Sequence, residues 1–289
     1  MTLSERNAFF IVGIVFCAVF TLLVLGASFF ILPSFSKIGA AETETALAIQ
    51  MEENTPRSSS FFQSITGRFL GVNYLAVYAA MVMSVLFSII SIIIIYSFFE
   101  QTSSPEILYI AFFTVSFSFE AIRLILPLHM IYNFPSFYLL LASRALLFAR
   151  YFSIFSLFTA SVCAAGLDVQ KVRNIILILF VASLVITMGI PVDTQRWDTS
   201  FNMIKDNASI VRLIEVVVFI TTIISFFIAV NVRGSKNYAY VGIGVMLAMI
   251  GRNILLNTDN WAGPVPGILL LSIGTWFVCS KLHKIYLWL

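Results

Sequence analysis

Long unbroken apolar runs separated by short polar turns set the pattern of this chain. The runs lie at about Ala8 to Leu32, Phe69 to Phe98, Glu106 to Leu126, Ser136 to Val162, Ile175 to Ile190, Ile210 to Val232, Tyr238 to Leu256 and Gly267 to Leu282. Each is close to the ~20 residues that an α-helix needs to cross ~30 Å of hydrocarbon. Backbone polar groups within a bilayer must be satisfied inside the segment, so each run reads as a helix. The expected fold is an all-α polytopic transmembrane bundle: an N-terminal anchor or signal peptide over 1–32, an extracytoplasmic polar loop over 33–68, and seven spans over 69–289. Span one exceeds the usual length of a signal-peptide core, which favours an uncleaved anchor. Thr43 to Met51 is expected to form a short helix in the polar segment. Pro127 and Pro191 are expected to end spans three and five.

Composition agrees with this picture. The chain has 289 residues, of which 60% are hydrophobic and only 11% charged, against about 25% charged in soluble domains. The seven basic residues Arg6, Lys171, Arg173, Arg233, Lys236, Lys281 and Lys284 fall on one side and Lys37, Arg57, Arg68, Arg196 and Lys205 on the other. The positive-inside bias then puts both ends in the cytoplasm, as expected for a multi-pass protein of a bacterial cytoplasmic membrane. Trp197, Trp261, Tyr286 and Trp288 are placed as interfacial anchors. Asn207-Ala208-Ser209 fits a glycosylation sequon on an outer loop. Cys17, Cys163 and Cys279 lie in apolar runs and have neither disulfide nor metal spacing. No cofactor, metal or catalytic motif occurs, and no nucleic-acid partner is expected. Gly242, Gly244, Ala248 and Gly251 give span seven a smooth side, as close helix packing requires.

The informative residues are the charges inside the spans, because an isolated charge in hydrocarbon is costly. Glu120 and Arg123 lie one helical turn apart in span three, and Arg212 and Glu215 one turn apart in span six. Arg144 lies in span four and Arg252 in span seven. At ~1.5 Å per helical residue, Glu120 is ~10 Å below the outer end of its span, Arg123 ~6 Å, Arg144 ~13 Å, Arg212 and Glu215 ~5–8 Å, and Arg252 ~6 Å. On the same scale Arg150 is the exception, ~22 Å down and nearer the inner side. Four arginines against two glutamates leave two positive charges in excess. Guanidinium forks suit carboxylate or phosphate. Glu120, Arg123, Arg144, Arg212, Glu215 and Arg252 are therefore candidates for an outward-opening site for a small anionic ligand. The competing reading is an ion-pair network that fixes helix register, with Arg212 and Arg252 reaching out to headgroups.

Two stretches carry a resemblance: Leu146 to Phe155, L-L-F-A-R-Y-F-S-I-F, and the end of the chain, G-I-L-L-L-S-I-G from Gly267 followed by K-L-H-K-I-Y up to Tyr286. Over roughly Gly71 to Tyr286 the chain resembles the bacterial seven-transmembrane receptors with diverse intracellular signalling modules. That resemblance implies an outside ligand and a signal passed through the bundle to a cytoplasmic module. The chain departs from the pattern in its short outer segment and in having no output domain after span eight. A sensor would then need a separate cytoplasmic signalling protein. The alternatives are a transporter or membrane subunit of one, and a structural or assembly protein.

Overall fold

The computed structural model describes residues 3–52, 71, 73–102, 104–132, 135–166, 172–198, 200–205 and 208–287. The stretch 53–70 with Arg57 and Arg68, and also Lys171, Asn207 and Trp288, lie outside the described residues. The helices are α1 (Leu3–Glu52), α2 (Tyr74–Phe99), α3 (Pro105–Ser116), a 3-10 segment (Phe117–Leu124), α4 (Ile125–Tyr132), α5 (Ser136–Ala164), α6 (Val172–Gly189), α7 (Ala208–Arg233), α8 (Asn237–Leu256) and α9 (Pro264–Leu287). A short hairpin, β1 (Val192–Trp197) and β2 (Met203–Lys205), joins α6 to α7. Among the described residues, eight helical stretches are long and apolar enough to cross a membrane, with α3, the 3-10 segment and most of α4 together forming the third. The chain is an integral multi-pass membrane protein with a helical bundle fold.

The loop expected over 33–52 and the stop expected at Pro127 fail for physical reasons, while α6 ends at Gly189, ahead of Pro191, as expected. Helix α1 continues through Pro33 to Glu52, so 33–52 is helical rather than a loop and the Thr43 to Met51 helix is its continuation. Ala, Glu, Leu and Gln dominate its last turns and favour helix. Pro127 does not end span three, because the winding changes at Leu124 and Pro127 falls in the first turn of α4. A missing N–H there costs little, since first-turn donors lack helical partners anyway. Span three therefore extends to Tyr132. The 192–205 stretch pairs as the antiparallel hairpin, with Phe201 at positive φ and buried in its turn.

Span three is the most enclosed, with 78% of its apolar stretch buried, against 22% for spans one, five and six. It sits between α2 and α5, and α5 also meets α6 and α7. Helices α8 and α9 form the closest pair, and α9 packs back on α2. Their closeness follows from small residues. A Cβ on Gly251 would lie 2.5 Å from the Leu271 nitrogen, and one on Gly274 would lie 2.5 Å from the Ala248 nitrogen. The smooth side of span seven thus meets a matching glycine side of span eight, while Gly242 faces Phe226 of α7.

Polar contacts tie the ends together. At one end Arg6 donates to the carbonyls of Phe99 and Glu100, at 2.5 and 3.1 Å, and to that of Thr102. It thereby gives the Glu100 carbonyl a donor and adds a second one to the Phe99 and Thr102 carbonyls, which already accept from the Thr102 and Ser104 N–H groups. At the same end Tyr286 donates to the buried Glu106 at 2.6 Å, and Ser104 at 3.0 Å. Tyr286 is therefore half-buried and turned inward, not an interfacial anchor. At the other end the Asn73 N–H donates to the Asp259 carbonyl at 2.8 Å, and the Asn73 side chain caps α2 through the Leu75 N–H.

Candidate functional site

Glu120 is the centre of the buried charge cluster, at 2% exposed. It accepts from Arg150 twice, Nε to Oε1 and Nη2 to Oε2, both at 2.8 Å, and from Arg123 Nη1 at 3.3 Å. The two parallel bonds form a fork that fixes both planes. The 3-10 winding explains the Arg123 contact, because side chains at i and i+3 eclipse in that geometry. Eight residues is long for a 3-10 segment, since runs beyond 3–4 are uncommon. Arg252, buried on α8, donates to the Arg150 carbonyl at 3.0 Å. Arg123 also donates to the Ser200 carbonyl in the hairpin turn.

The partner of Glu120 is thus Arg150, which the depth estimate had set apart from the cluster. Two features move Glu120 deeper than the sequence suggests. Span three runs on to Tyr132, and part of it rises ~2.0 Å per residue rather than ~1.5 Å. Together they place Glu120 ~20 Å from the end of its helix, level with Arg150 at ~21 Å from the start of α5.

The remaining candidates divide. Glu215 approaches Arg150, Arg252 and Tyr151 closely enough to interact electrostatically and hydrogen-bonds to none of them. Arg144 is not in the cluster: its guanidinium donates to the carbonyls of Thr187 and Ile190, which the end of α6 leaves open. Arg212 is exposed on α7 and has no ion pair among the described residues, in keeping with a side chain that reaches to the membrane surface. Of the neighbouring hydroxyls, Ser116 and Ser118 donate to backbone carbonyls of their own helix. Asn253 and Asn257 pair with each other at an exposed position, 2.7 Å apart.

The cluster closes on little free space. A cavity of about 10 Å³ lies among Glu120, Arg150, Ser153 and Arg252. A second, of about 20 Å³, lies between Arg123, Arg150 and Asn202 beneath the hairpin turn. Each holds about one water. Three buried polar atoms at these cavities have no hydrogen-bond partner: Arg123 Nε, Ser153 Oγ and Asn202 Oδ1. Three guanidiniums face Glu120 and, at longer range, Glu215 and Asp198, so the charges balance.

Fold and site together define an integral membrane helical bundle with an arginine-rich charge cluster buried under a hairpin. No protein-family model matches the chain, and a search of the curated proteins finds no match.

Proposed function

We propose that this chain is a receptor-like membrane sensor for a small anion, and that its hairpin is both the cover of the site and the moving part. The observation that carries this reading is the Arg123 bridge, which joins the Ser200 carbonyl of the hairpin turn to Glu120 in span three. With the hairpin seated, the cavities hold about one water each, so a carboxylate or phosphate has no room. The hairpin must lift for an anion to reach Arg123. The anion then takes the place of the Ser200 carbonyl, and Arg123 Nε supplies a further donor. Ligand binding is thereby linked to displacement of β1 and β2, and through Arg123 and Glu120 to α5 and α8. The hairpin side is assigned to the outside and both termini to the cytoplasm, in line with the basic residues at that end. The signal passes there to a separate cytoplasmic protein.

The test is thermal stability of the purified protein against acetate, succinate, sulfate and phosphate, with amide exchange across residues 198–205. A ligand that binds only the folded state adds ~2.7 kcal/mol at a hundredfold excess over its dissociation constant. The expected result is stabilisation by one anion class, faster exchange in the hairpin turn, and loss of both in Arg123→Gln. Stabilisation by no anion, with hairpin exchange unchanged, overturns the reading and leaves a register-fixing network.

A further inference from the structure

One groove has no part in the charge cluster. It has a volume of about 710 Å³ and lies between α2 and α9, open along one side of the bundle. On α2 it is lined by Leu86, Ile90, Ile94 and Phe98, spaced four apart and therefore on one helix face. All four are exposed along a membrane-spanning helix. On α9 the lining changes along its length, from Ile268 and Trp276 to Ser280, His283 and Lys284. One end of the groove is therefore basic and the rest apolar.

Two details at the basic end remain unexplained by the fold. His283 sits edge-on against Phe98 and Phe99, with ring centroids 5.8 and 5.6 Å away, and its Nδ1 is buried with no hydrogen-bond partner. Lys284 is exposed and makes no ion pair among the described residues. His283 and Lys284 thus stand at one end of a groove whose lining, among the described residues, holds no acidic side chain, so the basic end has no counterion within the groove.

We propose that this groove binds an anionic phospholipid, with acyl chain along the Ile90, Ile94 and Phe98 face and phosphate on Lys284 and His283. The groove opens to the bilayer, which supplies such a molecule directly. Basic pockets between transmembrane helices are suited to anionic headgroups. A transmembrane helix of a partner or of a second copy would use the apolar wall but leave both basic groups unanswered; a phospholipid answers both. The proposal does not depend on the anion-sensor reading, and its residues are separate from the Glu120 cluster.

The test uses the full chain in detergent, stripped of lipid and titrated with phosphatidylglycerol or phosphatidylcholine of the same acyl chains. Bound lipid is counted by native mass spectrometry. The expected result is one retained phosphatidylglycerol, not displaced by inorganic phosphate. Lys284→Ala should weaken its binding about fivefold, the worth of one basic residue at an anionic surface. Ile90→Trp, which fills the groove from an exposed position, should abolish it. Both variants change surface positions, and unaltered melting of the stripped proteins verifies that they fold. Equal retention of the two lipids by wild type and Lys284→Ala would mean ordinary solvation by the bilayer and overturn the proposal. Displacement by inorganic phosphate, or a dimer blocked by Ile90→Trp with no lipid retained, would also overturn it.

Discussion

Glu120→Gln is the sharpest perturbation of the charge cluster. The side chain keeps its shape and loses its charge. Arg150 then donates two bonds to a neutral group that can accept only at its oxygen, and Arg123 loses its only ion-pair partner among the described residues. Hydrogen bonds to charged groups contribute about 1.5–3 kcal/mol each. Breaking a buried pair by removing one member costs about 3–5 kcal/mol, because the other charge stays buried. With Glu120 and Arg123 at 2% and 3% exposed, the upper part of that range is expected. An exposed pair would cost about 0–1 kcal/mol. The double variant Glu120→Gln, Arg150→Gln removes both charges and leaves two amides able to pair. Its cost should fall short of the summed single costs by about 2–3 kcal/mol, as coupled sites show. Denaturant titration in mixed micelles measures all three variants. A loss below 1 kcal/mol for Glu120→Gln, or strictly additive single losses, would refute the account of Glu120 as the cluster's centre.

Three further substitutions probe other parts of the bundle. Gly251→Ala forces a Cβ to within 2.5 Å of the Leu271 nitrogen and should cost about 1–3 kcal/mol or more by overpacking, read as a lowered melting temperature. Arg212→Gln should stay within about 0.5 kcal/mol of wild type, since the side chain is exposed and has no ion pair among the described residues. Tyr286→Phe removes a 2.6 Å bond to the buried Glu106 and should cost about 1.5–3 kcal/mol, with faster amide exchange at the last turn of α9.

The membrane spans were legible in the sequence because ~20 apolar residues in a row admit few other structures. The glycine side of span seven was legible for the same kind of reason: small residues at helical spacing have one common use in a bilayer. The charge cluster was half legible. That Glu120 and Arg123 need partners follows from the cost of charge in hydrocarbon, but which partners depends on depth, and depth depends on winding. Assuming one rise per residue and a stop at Pro127 placed Glu120 ~10 Å too shallow and disconnected it from Arg150. Arg144 was misplaced because nothing in its neighbourhood shows that the carbonyls of Thr187 and Ile190 would come to it. Glu106 was passed over because an acid just after Pro105 reads as an ordinary first-turn residue, favoured there by the helix dipole. Its buried carboxylate is met by Tyr286, 180 residues later, and local pattern carries no trace of so distant a contact.

The winding itself is open to a test that inverts the usual expectation for proline. Replacing an interior proline by alanine normally stabilises a helix by up to ~3 kcal/mol. Pro127 differs, because its ring opposes the Arg123 carbonyl and so resists α-helical continuation through the 3-10 segment. In Pro127→Ala that obstacle is gone, and Phe117 to Leu124 are free to wind as α-helix. Eight residues then shorten by ~4 Å, at ~0.5 Å each, and each turns ~20° less, which rotates Glu120 away from Arg150. The gain in helix propensity is set against a buried ion pair whose loss costs about 3–5 kcal/mol, so the net effect should be destabilisation. Denaturant titration of Pro127→Ala should show lower stability, and adding Glu120→Gln to it should cost much less than in wild type, since the pair is already parted. If Pro127→Ala is as stable as wild type and Glu120→Gln costs the same in both backgrounds, the ion pairs alone hold the 3-10 winding and the role assigned to proline is wrong.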